Sequence, residues 1–172
     1  SFTHTNDGYK VQSYYINYGN GVCRDDLSVN INNLTSYDKV RISCDLYSDN
    51  VGDTGFHQLK VGIQSNSSPS SPYSTPWLMC GMTNANHKSG LVGTNLTEVN
   101  GSAISSKTWF TNILEYDKTM NEIKGKIILD NGTILLDKTI SKNNLNYGNR
   151  VSINLWCKQV AFFKKLKVEA YY

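Results

Sequence analysis

The stretch TWFTNILEYDKTMNEIKGKIILDNGTILLDKTI, residues 108–140, decides the fold class. Residues 109–116 alternate apolar and polar, 117–122 hold turn formers, and 123–129 alternate again into Asp130-Asn131-Gly132. Asn-Gly between two such runs is a strong local hairpin signal, because both residues tolerate the positive φ that a tight primed turn needs. Residues 133–140 are then the returning strand, and three consecutive antiparallel strands are expected here.

The same punctuation continues outward from this segment. Downstream, 141–149 reads as a connection, and 151–157 and 163–171 as closing strands. Upstream, strands are expected over the Tyr-rich 9–18, around Leu27, Val29 and Ile31, over 40–47 and 56–64, and over the apolar 77–82. SNSSPSSPYSTP, residues 65–76, holds all three prolines and reads as one long loop. Residues 83–90 also look like loop, and 92–103 like an edge strand or loop. No segment keeps a helical period for three turns. About ten strands in 172 residues predict a single all-β domain over 1–172, a two-sheet antiparallel β-sandwich of the jelly-roll type.

Composition narrows the function classes. The net charge of +3 is spread along the chain, with one tight cluster at Lys164, Lys165 and Lys167, too dilute a pattern for a nucleic-acid partner. No apolar run reaches the roughly 18 residues of a membrane span, so membrane insertion is not expected. The chain opens at Ser1 on polar sequence, as expected after removal of an export signal or excision from a longer protein. Glycosylation-type triplets begin at Asn33, Asn66, Asn95, Asn100 and Asn131, and the abundance of Asn is enough to explain them.

Each cysteine is in phase with apolar neighbours: Cys23 with Leu27, Val29 and Ile31, Cys44 with Ile42 and Leu46, Cys80 with Leu78 and Met82, Cys157 with Ile153 and Leu155. That phase favours free core thiols over one or two disulfides, with both left open. A zinc site is disfavoured, since there is no CxxC and His4, His57 and His87 are isolated.

Catalytic constellations are missing from the string. A jelly-roll glycosidase needs two carboxylates projecting from one strand, whereas the only acidic residue two or four positions from Glu115 is Asp117, which falls in the expected 117–122 turn. There is no GxSxG elbow and no phosphate-cradling glycine loop. The expectation is a non-enzymatic chain. Asp45, Asp49 and Asp53 enter a glycine-containing turn with hard oxygen ligands close together, so calcium is a candidate there against plain turn chemistry, and no cofactor is required.

Sugars offer apolar C–H faces ringed by hydroxyls, so their sites combine aromatic platforms with Asn, Asp, Gln or His. The run YSTPWLMCGMTNANH supplies Tyr73, Trp77, Asn84, Asn86 and His87. Trp156 alternates with Ser152 and Asn154, away from Ile153 and Leu155, which makes it an expected exposed platform. Trp109 shares a phase with Ile113 and is assigned to the core. Of Tyr14, Tyr15 and Tyr18 one is expected to be exposed, and an outer Tyr ladder would also suit an oligomer interface.

The 108–140 run, with NRVSINLWC (149–157), FFKKLKVEAYY (162–172) and LTSYDKVRISCDLY (34–47), resembles the concanavalin-A-like or laminin-G-like jelly rolls of carbohydrate-binding modules and of viral or phage receptor-binding parts. The resemblance implies saccharide binding at a sheet face or loop end, with calcium optional. The acidic strand of the family's enzymes and a complete calcium loop are both absent. The resulting expectation is a lectin-like, non-catalytic glycan-binding or receptor-recognition module of a secreted, cell-surface or virion-surface protein, whose partner is a glycan or cell-surface polysaccharide. The alternatives are a homo-oligomeric or multidomain structural subunit of a viral tail, capsid or fibre, and a sandwich-fold polysaccharide hydrolase or lyase acting through Glu115.

Overall fold

Alternation in the deciding segment becomes three paired strands in the computed structural model. The structure describes residues 2–5, 8–12, 24–49, 58–64, 77–83, 88–93, 98–142, 147–156 and 160–172, and of residues 2–5, 11, 12, 24–26, 77, 83 and 156 the backbone alone. The strands are β1 (Phe2–Thr5), β2 (Gly8–Gln12), β3 (Arg24–Asn30), β4 (Lys39–Ser48), β5 (Gln58–Gln64), β6 (Trp77–Thr83), β7 (Lys88–Gly93), β8 (Val99–Ala103), β9 (Trp109–Asp117), β10 (Glu122–Leu129), β11 (Ile134–Ser141), β12 (Arg150–Trp156) and β13 (Val160–Tyr171). A single 3-10 turn, Leu34–Ser36, lies between β3 and β4.

Two antiparallel sheets result, a seven-stranded one in the order β1-β2-β13-β4-β9-β10-β11 and a six-stranded one in the order β3-β12-β5-β6-β7-β8. The expected all-β sandwich is therefore what forms. The expected hairpin is also present: Gly132 takes φ 85°, its N–H donates to the Leu129 carbonyl, and the Asn131 side chain accepts from Thr133 N–H at 3.0 Å.

Three local expectations differ. Residues 88–93, partly assigned to loop, form β7, because Leu91 and Val92 pair with Cys80 and Met79 and cross-strand pairing overrides the poor strand propensity of Ser89 and Gly90. The ambiguous 92–103 splits into the end of β7 and the edge strand β8. The described part of the 9–18 run is β2, which forms a hairpin with the unforeseen β1.

The core lies between the sheets. Ile42, Cys44 and Leu46 of β4, Phe110 and Leu114 of β9, and Ile123 and Ile127 of β10 meet Leu59, Val61 and Ile63 of β5, Leu78, Cys80 and Met82 of β6, and Ile153 and Leu155 of β12. Their removal from water is the main favourable term in folding. Backbone approach is close in the six-stranded sheet: a Cβ on Gly62 would stand 1.9 Å from the Leu78 carbonyl oxygen, so only glycine fits.

Cys44 and Cys80 are free and buried, while Cys23 and Cys157 lie outside the described side chains. Burial pushes both thiols up to about 12, and the Asp45 carboxylate adds to the effect at Cys44. A thiol held protonated and out of solvent is a poor nucleophile. In native protein at about pH 8, Cys44 and Cys80 are therefore expected to resist alkylation and to react once urea is added. Mass mapping that finds either one labelled in the native state contradicts their placement.

One inward residue is out of keeping with the core. Asn112, at 0 % exposure, sits between Cys44 and Ile127 in register, and neither its amide nitrogen nor its oxygen has a hydrogen-bond partner among the described residues. An unsatisfied buried amide costs about 1–3 kcal/mol. Asn112→Leu is expected to raise the urea midpoint at unchanged slope, by about 1–2 kcal/mol of stability once the added volume is accommodated. A midpoint lowered by that amount would mean the amide has a partner.

Candidate binding surface

Register and connectivity sort the loops to two ends of the sandwich. At one end Gln12 pairs with Val160, Ala161 with Ser48, Tyr47 with Trp109, and Phe110 with Leu129. In the other sheet, the corresponding pairs are Trp156 with Arg24 and Gln58, Thr83 with Lys88, and Lys88 with Ala103. Only three residues join Trp156 to Val160, and Asp49 N donates to the Val160 carbonyl and Lys107 N to the Ser48 carbonyl, both at 2.9 Å. The connections 13–23, 50–57, 84–87, 104–108, 130–133 and 157–159 are consequently all anchored at this end.

The sequence candidates divide between the ends. Asn84, Asn86 and His87 lie outside the described residues, within the connection anchored by Thr83 and Lys88. Trp156 occupies the row of Arg24 and Gln58 at the same end. Trp77 pairs with Gln64 at the other end of β6; a seven-residue strand spans about 20 Å, so Trp77 and the 84–87 connection do not form one loop site. Tyr73 lies outside the described residues and enters β6 from the Trp77 side. Ser152 and Asn154, which share the phase of Trp156, are each only 1 % exposed, so that face of β12 is covered where it is described.

Of the expected calcium ligands, Asp53 lies outside the described residues and Asp49 is exposed. Asp45 is engaged by the protein: Thr111 Oγ1 donates to its Oδ1 at 2.7 Å, and Lys165 Nζ lies 3.1 Å from its Oδ2. An ammonium already neutralises the carboxylate. Among the described residues no three His, Cys, Asp or Glu side chains are grouped to hold a metal.

Trp109 is not in the core. The buried phase of β9 is Phe110, Asn112, Leu114 and Tyr116, and Trp109 shares the outward phase with Thr111, Ile113 and Glu115. The Ile113 cue misleads because β9 carries apolar residues on both faces, whereas Thr111 and Glu115 in the same phase are the informative signal. Outside the seven-stranded sheet, four neighbouring strands align Lys10, Phe162, Tyr47 and Trp109 in one cross-strand row.

Within this row the rings touch. Tyr47 and Trp109 have centroids 5.3 Å apart at 44°, and Tyr47 meets Phe162 edge-on at 5.7 Å. Lys164 Nζ stands 4.0 Å from the centre of a Trp109 ring. All three aromatic side chains are half-buried. The result is a packed aromatic strip with cations above and beside it, at the end where β2, β4 and β6 finish and β9 and β13 begin.

The outer face of the six-stranded sheet mixes polar and apolar side chains and is buried over β5, β6 and β12, with Met79 of β6 and Val92 of β7 in the row of Ser152. Lys60, at 3 % exposure, donates to Gln58 Oε1, and Gln64, Ser152 and Asn154 are buried on neighbouring strands. Ser152 Oγ has no hydrogen-bond partner among the described residues. Two hollows lie on the described surface. A cleft of about 190 Å³ opens at the far end between Leu34, Val40, Ile63, Tyr116, Lys118 and Tyr147. There the two phenols pack edge-on at 5.6 Å and burial pushes both up to about 12. A charged depression of about 250 Å³ lies between Lys39, Glu115, Asp117, Glu122 and Lys124, where Lys39 pairs with Glu115 at 3.3 Å. Both are smaller than the ~300 Å³ lower bound of ordinary ligand pockets.

No protein-family model matches the chain, and no curated protein does. Solved structures do. An alginate lyase from Pseudomonas aeruginosa superimposes with a TM-score of 0.62 at 13 % identity, over 98 % of this chain and 85 % of the lyase. The basic lectin of winged bean, solved with the Tn antigen, gives 0.58 at 9 % identity over 96 % and 90 %. Scytalido-glutamic peptidase gives 0.52 at 12 % over 78 % and 75 %. At such identities the likeness speaks for the fold. The sheet order, the inter-sheet core and these superpositions agree on the fold, a two-sheet antiparallel jelly-roll sandwich of the concanavalin-like kind.

Proposed function

We propose that this chain is a non-catalytic glycan-binding module, and that its saccharide lies on the Tyr47–Trp109–Phe162 strip. The carrying observation is the half-buried, mutually packed aromatic row on a sheet face rich in charged and polar side chains, beside the end where six connections are anchored. Packed rings give an apolar strip for the C–H face of a pyranose. The lectin likeness supports the reading.

The lyase and peptidase among the similar structures keep an enzymatic reading in view. Glu115, the carboxylate best placed for it by sequence, pairs with Lys39 and faces Arg41 and Lys124 across the strands, so the protein's own cations engage it. A secreted, cell-surface or virion-surface setting is part of the proposal. The test is binding to an immobilised glycan panel, with turnover followed on the same polysaccharides. Binding without turnover is expected. Depolymerisation abolished by Glu115→Gln would replace the module with an enzyme.

A further inference from the structure

We propose that the saccharide taken by this strip is acidic, and that a β-bulge in β13 builds its anion-reading pair, Lys164 and Lys165. The inference rests on the glycan-binding reading above. In a regular strand, successive side chains point to opposite faces. Between Lys164 and Lys167 the register of β13 against β4 slips, and Lys165 takes φ 54°, the left-handed region that non-glycine residues seldom occupy.

The slip brings two consecutive lysines to one face. Lys164 Nζ stands over Trp109, while Lys165 Nζ lies on Asp45, the neighbour of Thr111 on that same outer surface. Lys10 extends the strip beyond Phe162. Gly8 flanks Lys164 without a side chain, and a Cβ there would stand 3.2 Å from Lys164 Cβ. Lys167 is matched by Glu169 at 2.8 Å, and Lys164 makes no ion pair among the described residues; Lys165 rests on Asp45, but its side chain is 77 % exposed and its ammonium has donors left for an incoming anion. Two ammonium groups beside an apolar strip suit a sugar that carries a carboxylate or a sulfate. Backbone strain kept at a bulge is a common mark of a functional site.

The test measures binding of the whole chain to dextran, polygalacturonate and dextran sulfate, as neutral, carboxylated and sulfated probes. Three variants accompany it: Lys164→Gln, Lys165→Gln, and Lys138→Gln as an exposed charge control on β11. Binding to at least one acidic probe is expected to exceed binding to dextran by about tenfold or more, and to weaken as salt rises from about 0.05 to about 0.5 M. Lys164→Gln and Lys165→Gln are each expected to remove most of that preference, and Lys138→Gln none. The two acidic arms identify the anion. Equal binding to dextran, unchanged by Lys164→Gln, overturns the acidic preference and leaves the glycan module standing. Equal loss in Lys138→Gln reduces the effect to bulk charge and also overturns it. Binding to none of the three probes, nor to the glycan panel, overturns the module itself.

Discussion

Phe110→Ala is expected to lower the free energy of unfolding by about 3–5 kcal/mol. Phe110 is 0 % exposed and is among the largest fully buried side chains. It faces Leu46 across β4 and Leu129 across β10, in a core closed by the six-stranded sheet. Removing the ring forfeits its transfer free energy and leaves a cavity that close-packed neighbours fill only in part. A domain of this size holds about 5–15 kcal/mol in total, so the variant should melt well below the parent and be populated unfolded in mild denaturant. A loss under about 1 kcal/mol by urea titration would place Phe110 outside the core and invert the phase of β9.

The adjacent substitution is expected to act in the opposite domain of behaviour. Trp109→Ala should cost only about 1–2 kcal/mol of stability, from lost packing on Tyr47 and the lost Lys164 contact. Its effect belongs to binding: truncating an aromatic anchor typically costs about 2 kcal/mol or more, about 30-fold in affinity. Calorimetric titration with whichever saccharide the panel identifies, alongside a thermal melt, separates the two quantities. A destabilisation as large as that of Phe110→Ala would return Trp109 to the core, and unchanged affinity would remove it from the binding surface. One peptide bond separates the two residues, so the pair also tests strand phase.

The fold was legible because its signals are local. Alternation in β4, β9, β10 and β12 and the Asp130-Asn131-Gly132 turn identify strands and one hairpin without knowledge of their partners. Cys44 and Cys80 could be placed inward from their apolar neighbours alone, and both are buried. Phase fails where both faces of a strand carry apolar residues, as at Trp109 and Ile113, or where a sheet's outer face is covered, as at Ser152 and Asn154. There the deciding information is which sheet lies opposite, and that is tertiary.

The candidate surface was less legible for a related reason. Trp77 is close in sequence to Asn84, Asn86 and His87, yet the length of β6 separates it from Thr83, after which those residues follow. Lys10, Tyr47, Trp109 and Phe162 are far apart in sequence and are brought into one row by the order β2-β13-β4-β9. The Lys164-Lys165-Lys167 cluster was visible as composition. Its use depends on the bulge, which only the register of β13 against β4 reveals.

The most direct test of the proposed surface follows the tryptophan indole N–H signals by NMR while an oligosaccharide that the module binds is added. The Trp109 signal should move progressively, with backbone amides of Tyr47, Phe162 and Lys164, while those of Ile63, Gln64 and Ser152 stay in place. Shifts confined to Lys60, Gln64, Ser152 and Asn154, with Trp109 unmoved, would put the saccharide on the six-stranded sheet and contradict the assignment.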